Sequence, residues 1–215
     1  MTHENCCSHD DLDYEEETPI FIGLEDQVPN LDLDVYDPQS DSIIQKSMAD
    51  YAGKNLIVFF YPADFTFVCP TELKDLNSIY QDIKDNNAEL IVVSTDTVFS
   101  HKRWVETEGL LKGFGISMVS DRKWEISDLF GVLNENSGNS ERGTFIINPD
   151  GIIKSIEVVT EPIGRSSSEL LRKLKALEFV RTNPWAACPA SWNTWDKVLK
   201  PSIKIAGKVE ESLNQ

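Results

Sequence analysis

The chain has 215 residues, 36 acidic against 20 basic, with a formal net charge of −16 at pH 7. Thirteen of the acids precede Lys46, the first base, so the acidity belongs to a leading segment and the remainder is near balance. That leaves no basic face for a nucleic acid, and no run approaches the roughly 20 apolar residues that span a bilayer. Four scattered cysteines, Cys6, Cys7, Cys69 and Cys188, are too few for a secreted disulfide scaffold. With an acidic, polar start unlike an export signal, the expectation is a cytoplasmic protein of one domain with arms, long enough to bury a substantial core.

Residues 1–18 read as a disordered tail: seven acids, no bases, and little apolar surface beyond Leu12 and Tyr14. Within it His3, Cys6, Cys7 and His9 place four soft ligands close together. Their spacing fits no standard zinc module, and the preferred reading is exposed thiols without a metal.

Residues 19–180 alternate strand and helix signals. Leu56–Tyr61 is a continuous apolar run of β-branched and aromatic residues, as in a central strand buried on both faces. Leu73, Leu76, Ile79, Tyr80 and Ile83 recur at helical spacing, so Cys69 and Pro70 open one amphipathic helix that reaches Ile83. Leu90–Val93 is a second buried strand, ending at Ser94-Thr95-Asp96. A helix over Val98–Val105 carries Trp104, and Gly109–Gly115 is a loop. Met118-Val119 is a short strand, and Trp124–Phe130 a short helix closed by Gly131.

Pro149-Asp150-Gly151 is a turn between two strand patterns, Thr144–Asn148 and Ile152–Thr160, which makes them a hairpin. Ser166-x-x-Glu169 is a capping box ahead of a last helix carrying Leu170, Leu171, Leu174, Leu177 and Val180. Two βα units, a hairpin and a covering helix predict an α/β fold with a mixed central sheet and helices on both faces, and a cysteine at the N-terminus of the helix after a central strand fits a thioredoxin-like arrangement of it. Residues 181–215, with Pro184, Pro189 and Pro201, read as a C-terminal arm laid on a surface.

The chemistry points to Cys69. A thiol in the first turn of a helix faces unpaired backbone N–H groups and the positive end of the helix dipole, both of which favour the nucleophilic thiolate. A buried hydrophobic cysteine is the alternative. A reductase of the C-x-x-C kind needs a second thiol three residues away, and here that position is Thr66. Cys188, in the arm, is the one other cysteine of the expected folded body. An activated thiolate beside a hydroxyl, with a remote thiol partner, suits attack on a peroxide better than local thiol exchange.

Pro62-x-x-x-Thr66-x-x-Cys69, followed by Pro70-Thr71-Glu72, resembles the active-site signature of the peroxiredoxins. Asn183-Pro184-Trp185-Ala186-Ala187-Cys188-Pro189-Ala190-x-Trp192 resembles the resolving-cysteine segment of their typical two-cysteine class. Ser94-x-Asp96-x-x-Phe99-x-His101-x-x-Trp104, Gly131-Val132-Leu133 with Arg142–Ile147, and Pro162-x-Gly164-Arg165 resemble further blocks of the family. These blocks run from about Phe21 to Ile205.

The resemblance implies a thiol peroxidase of the alkyl hydroperoxide reductase and thioredoxin peroxidase kind, working in antioxidant defence without cofactor or metal. Cys69 would be the peroxidatic cysteine, oxidised to a sulfenic acid, and Cys188 of the partner subunit would resolve it to a disulfide. A thioredoxin-like protein or a flavoprotein disulfide reductase would recycle both thiols. Thr66 would hydrogen-bond the reacting oxygens or the thiolate, Arg142 would stand beside the sulfur, and Pro62 would shield it from water. Glu72 and Arg165 would form a supporting network. The assemblies implied are a homodimer and a ring of five dimers, with a holdase chaperone or redox-signalling role as the alternative to catalysis.

Plainer readings stand beside these. Arg142 and Arg165 could be surface arginines, Glu72 a favourable first-turn acid, Pro62 a strand end, and Thr66 an ordinary loop hydroxyl. His101 is read as a packing or surface residue. The loop Gly109–Gly115 and the chain end lack the Gly-Gly-Leu-Gly and Tyr-Phe elements of overoxidation-prone members, which implies a Cys69 resistant to sulfinic acid.

Overall fold

A computed structural model describes residues 21–214; the His3/Cys6/Cys7/His9 cluster and the rest of the acidic tail lie outside them. The strongest strand signal becomes the centre of the molecule. β3 (Asn55–Phe60) is buried at every position. It pairs in parallel with β4 (Ala88–Ser94) and antiparallel with β8 (Arg142–Ile147). Burial on both faces is what its unbroken apolar run requires. The other strands around this pair are β1 (Asp32–Asp37), β2 (Ser42–Ser47), β5 (Ser117–Ser120) and β9 (Ile153–Val159), while β6 (Leu133–Asn134) and β7 (Asn139–Ser140) form a separate two-stranded ribbon. The seven-stranded mixed sheet has the order β2-β1-β5-β4-β3-β8-β9.

Alternate residues of β3 face opposite layers. Ile57, Phe59 and Tyr61 pack with Leu73 and Leu76 of α1 (Cys69–Ser78), Ile83 of α2 (Tyr80–Asp85) and Trp104 of α3 (Val98–Thr107). Leu170, Leu171 and Leu174 of α5 (Ser167–Thr182) complete that layer. Leu56, Val58 and Phe60 pack the other way, against Ile126 of α4 (Glu125–Leu129), Phe130 and Val132. The α/β fold with helices on both faces is as the sequence predicts.

Several details differ. The helix expected to run unbroken to Ile83 splits at Ile79, whose N–H donates to Leu76 O at 3.1 Å. Apolar steps of three residues, Leu73, Leu76 and Ile79, suit a tighter i−3 turn as well as an α-helical one. The hairpin of β1 and β2 was not foreseen: Leu33 and Val35 alternate as a strand should, but Asp32, Asp34 and Asp37 are of a residue type depleted in strands and weaken the signal. The loop after α3 contains a 3-10 turn at Gly109–Leu111. The expected capping box at α5 is half made. Ser166 Oγ accepts the Glu169 N–H, while the Glu169 carboxylate turns forward to Arg172 at 2.6 and 2.8 Å.

Beyond α5 the chain is largely irregular up to α6 (Val209–Asn214). Trp192 anchors it, buried, with its ring 5.0 Å from that of Phe179 and its Nε1–H donating to Asp196 O at 3.2 Å.

Candidate active site

β3 ends at Phe60, the chain passes through the loop Tyr61–Val68, and α1 begins at Cys69 with Pro70 behind it. Cys69 is therefore in the first turn of a helix whose early N–H groups point past it. Its side chain is completely buried. β8 runs antiparallel to β3 with Phe59 opposite Thr144, so the start of β8 lies beside the end of β3 and brings Arg142 to the thiol.

Arg142 Nη1 donates to Cys69 Sγ at 3.3 Å and to Glu72 Oε2 at 2.7 Å. Its Nε donates to Glu161 O at 2.5 Å. Arg165 grips the same carboxylate from the other side: its backbone N–H and Nε donate to Glu72 Oε1 at 2.8 and 2.9 Å, and Nη2 to Oε2 at 3.1 Å. The Arg165 fork then ties into the sheet, donating to Gly143 O at 2.7 Å and Phe60 O at 2.8 Å. It also stacks 3.4 Å from the centre of the Phe59 ring. The Glu72, Arg142 and Arg165 side chains are 2%, 2% and 3% exposed, so this is a buried triad of two cations and one anion. Burial pushes the Arg165 guanidinium down from its ordinary range, and Glu72 pushes it back up.

A triad with one excess positive charge next to a sulfur is chemically pointed. Buried charge is costly unless paired and hydrogen-bonded, and here the second cation finds the sulfur. Gly143, next to Arg142, leaves no room for a side chain: a Cβ there would meet Val132 Cγ1 at 2.8 Å.

Pro62 is buried in the loop ahead of Cys69. Thr66 Oγ1 donates to Ala63 O at 2.8 Å, and among the described residues no hydrogen bond joins it to Cys69. Of the seven residues singled out from the sequence all but one gather here: Cys69, Glu72, Arg142 and Arg165 form the core, and Pro62 and Thr66 stand in the loop before it. That one is Cys188, half-buried against α5 with Ala176 O 4.0 Å from its sulfur, and outside the Cys69–Arg142 contacts. Both cysteines are free thiols. Burial pushes the Cys188 thiol up, and the Arg172 charge pulls it part-way back.

A family model described as the AhpC/TSA family matches residues 24–156. The alkyl hydroperoxide reductase C of Amphibacillus xylanus is 48% identical over 161 residues, covering 75% of this chain and 86% of that protein. That of Ferdinandcohnia aciditolerans is 45% identical over 166 residues, covering 77% and 99%. The chain belongs to the AhpC/TSA family of peroxiredoxins.

Solved structures agree. The crystal structure of Enterococcus faecalis AhpC aligns with a TM-score of 0.74 at 37% identity, covering 77% of this chain and 98% of that one. The reduced Plasmodium vivax 2-Cys peroxiredoxin aligns with a TM-score of 0.82 at 28% identity, covering 87% and 98%. This peroxiredoxin is a peroxidase enzyme whose substrate is a peroxide.

Sequence reading missed one network of the peroxiredoxin. His101, read as a packing or surface residue, takes the packing place: it is fully buried, and what was not foreseen is its partners, with Nδ1 2.9 Å from Asp64 Oδ2 and Nε2 3.3 Å from Val119 O. Tyr61 Oη donates to Asp64 Oδ1 at 2.8 Å. Asp64 N–H in turn donates to Asp96 Oδ2 at 2.8 Å. The signal was present, since Asp64 lies between Pro62 and Thr66 and Asp96 in the Ser94–Trp104 block. Nothing local in the sequence joins them.

Proposed function

We propose that the enzyme reduces hydrogen peroxide and organic hydroperoxides through Cys69, with Cys188 of the partner subunit as the resolving thiol. The Cys69 thiolate attacks one peroxide oxygen, the O–O bond breaks, and the other oxygen leaves as water or an alcohol once protonated. Cys69 is then a sulfenic acid. The resolving thiol attacks that sulfur, expels water, and leaves a disulfide. A dithiol reductant, from a thioredoxin-like protein or a flavoprotein disulfide reductase, supplies two electrons and restores both thiols.

The observation that carries this is the Arg142 guanidinium 3.3 Å from Cys69 Sγ and fixed by Glu72. A cation in that place steadies the attacking sulfur and meets charge developing on the departing oxygen, in a site from which burial excludes water. Thr66, with its proton given to Ala63, keeps its oxygen lone pairs for a peroxide O–H. Pro62 limits water on the loop side. A homodimer, extending to a ring of five dimers, is the assembly that fits a resolving thiol outside the Cys69 cluster, and a cytoplasmic location fits a mechanism that needs reduced thiols.

The test is a non-reducing gel of wild type, Cys69→Ser and Cys188→Ser after one equivalent of hydrogen peroxide, each with Cys6 and Cys7 replaced by serine. A full shift of the first alone to a linked dimer supports the mechanism. A wild type that stays monomeric removes Cys188 as resolver.

A further inference from the structure

The loop Tyr61–Val68 has an awkward shape. Phe65 stands at φ 56°, in the left-handed region that a residue with a Cβ enters at a cost. Such a conformation persists only where its surroundings impose it, and here side chains do so. One peptide unit, Ala63–Asp64, is held at both ends. Its N–H, on Asp64, donates to Asp96 Oδ2 at 2.8 Å; its C=O, on Ala63, accepts from Thr66 Oγ1 at 2.8 Å. A peptide unit is planar and stiff, so fixing the direction of its N–H fixes the direction of its carbonyl. A carboxylate drawing on the N–H also polarises the amide and makes that carbonyl the stronger acceptor.

Asp96 is itself held to the sheet. Its Oδ2 accepts from Ser94 Oγ at 3.0 Å, its N–H donates to the same hydroxyl at 3.2 Å, and its C=O accepts from Ser120 Oγ at 2.6 Å. Ser94 ends β4 and Ser120 ends β5, so the frame that grips the loop is the C-terminal end of two neighbouring inner strands of the central sheet.

We propose that Asp96 is a positioning residue for the peroxidase reaction: through the Ala63–Asp64 peptide it aims the Thr66 hydroxyl at the space beside Cys69. The inference rests on the role given to Thr66 above. Asp96 touches neither the sulfur nor the oxidant; it determines where the Thr66 oxygen stands, and with it the line along which the peroxide meets Cys69. Its separation of 32 residues from Asp64 explains why no local motif reveals it.

The test is a double-mutant cycle on the second-order rate constant of reduced Cys69 with hydrogen peroxide. Asp96→Ala is expected to lower it about tenfold, the scale on which a misplaced reacting geometry costs rate. Asp96→Asn, which keeps an acceptor oxygen at the same reach, restores most of the rate. Thr66→Val lowers the rate by itself, and adding Asp96→Ala to it costs less than about twofold more, because one group acts through the other. The pH profile of Cys69 alkylation stays where it is in Asp96→Ala, since Arg142 and Glu72 are untouched. That separates positioning from general loosening of the site.

Should Asp96→Ala fail to fold, Asp96→Ser supplies the same comparison, its hydroxyl being too short to reach Asp64. Wild-type rate in the folded Asp96 variant beside a slow Thr66→Val overturns the positioning role alone. Wild-type rate in Thr66→Val overturns the Thr66 reading and this inference with it. Rate losses that multiply in full in the double variant also overturn it.

Discussion

Arg142 Nη1 stands 3.3 Å from Cys69 Sγ across 73 residues of chain, and the same nitrogen holds Glu72 at 2.7 Å. The guanidinium is thus aimed by a carboxylate one helical turn from the Cys69 thiol. Arg142→Met, of similar length but uncharged, is expected to slow the reaction of Cys69 with hydrogen peroxide by about 10²- to 10³-fold, the usual effect of losing one preorganised charge-stabilising donor. Arg142→Lys restores part of it, because an ammonium supplies charge without the planar fork. Stopped-flow single turnovers measure both. Equal rates in wild type and Arg142→Met would remove the arginine from the chemistry.

Glu72 sits between two buried guanidinium groups, and its removal leaves both facing each other without an anion. Glu72→Gln is nearly isosteric, so the effect is electrostatic. Taking one partner from a buried ion network destabilises by about 3–5 kcal/mol. Urea unfolding at pH 7 reads this as a lower midpoint at unchanged slope. A loss below about 1 kcal/mol would mean that the Glu72 charge is not what offsets the two buried guanidinium groups.

The tyrosines give the fold an alkaline limit. Burial pushes the Tyr51 and Tyr61 phenols up, and that of Tyr80 up to about 12. An unfolded phenol titrates near 10, so the folded state favours the neutral form. The stability these groups contribute is fully present below pH ~10 and is lost as pH rises from there toward the folded values. Absorbance at 295 nm followed beside far-UV circular dichroism should show these three phenols ionising together with loss of structure. Complete tyrosine ionisation before any change in circular dichroism would contradict it.

What was legible in the sequence was local. The apolar run of β3 and the Cys69-Pro70 helix start carry their signal within a few residues, and both stand where the spacing places them. The break at Ile79 was hidden because apolar steps of three fit two kinds of turn. Arg142 and Arg165 reach Glu72 over 70 and 93 residues, so no periodicity points to them, and they entered only through family resemblance. His101 shows the limit most plainly. A histidine on a helix beside Trp104 reads as core or surface with equal ease until Asp64, 37 residues away, is seen to hold it.

The most direct measurement is the peroxide consumed per chain in one turnover without reductant. Pre-reduced wild type, Cys188→Ser and Cys69→Ser, all with Cys6 and Cys7 replaced by serine, are each mixed with one equivalent of hydrogen peroxide. If Cys69 is the peroxidatic residue, the first two consume it rapidly and equally, and Cys69→Ser does no better than buffer. Consumption by Cys69→Ser at the wild-type rate would contradict the account.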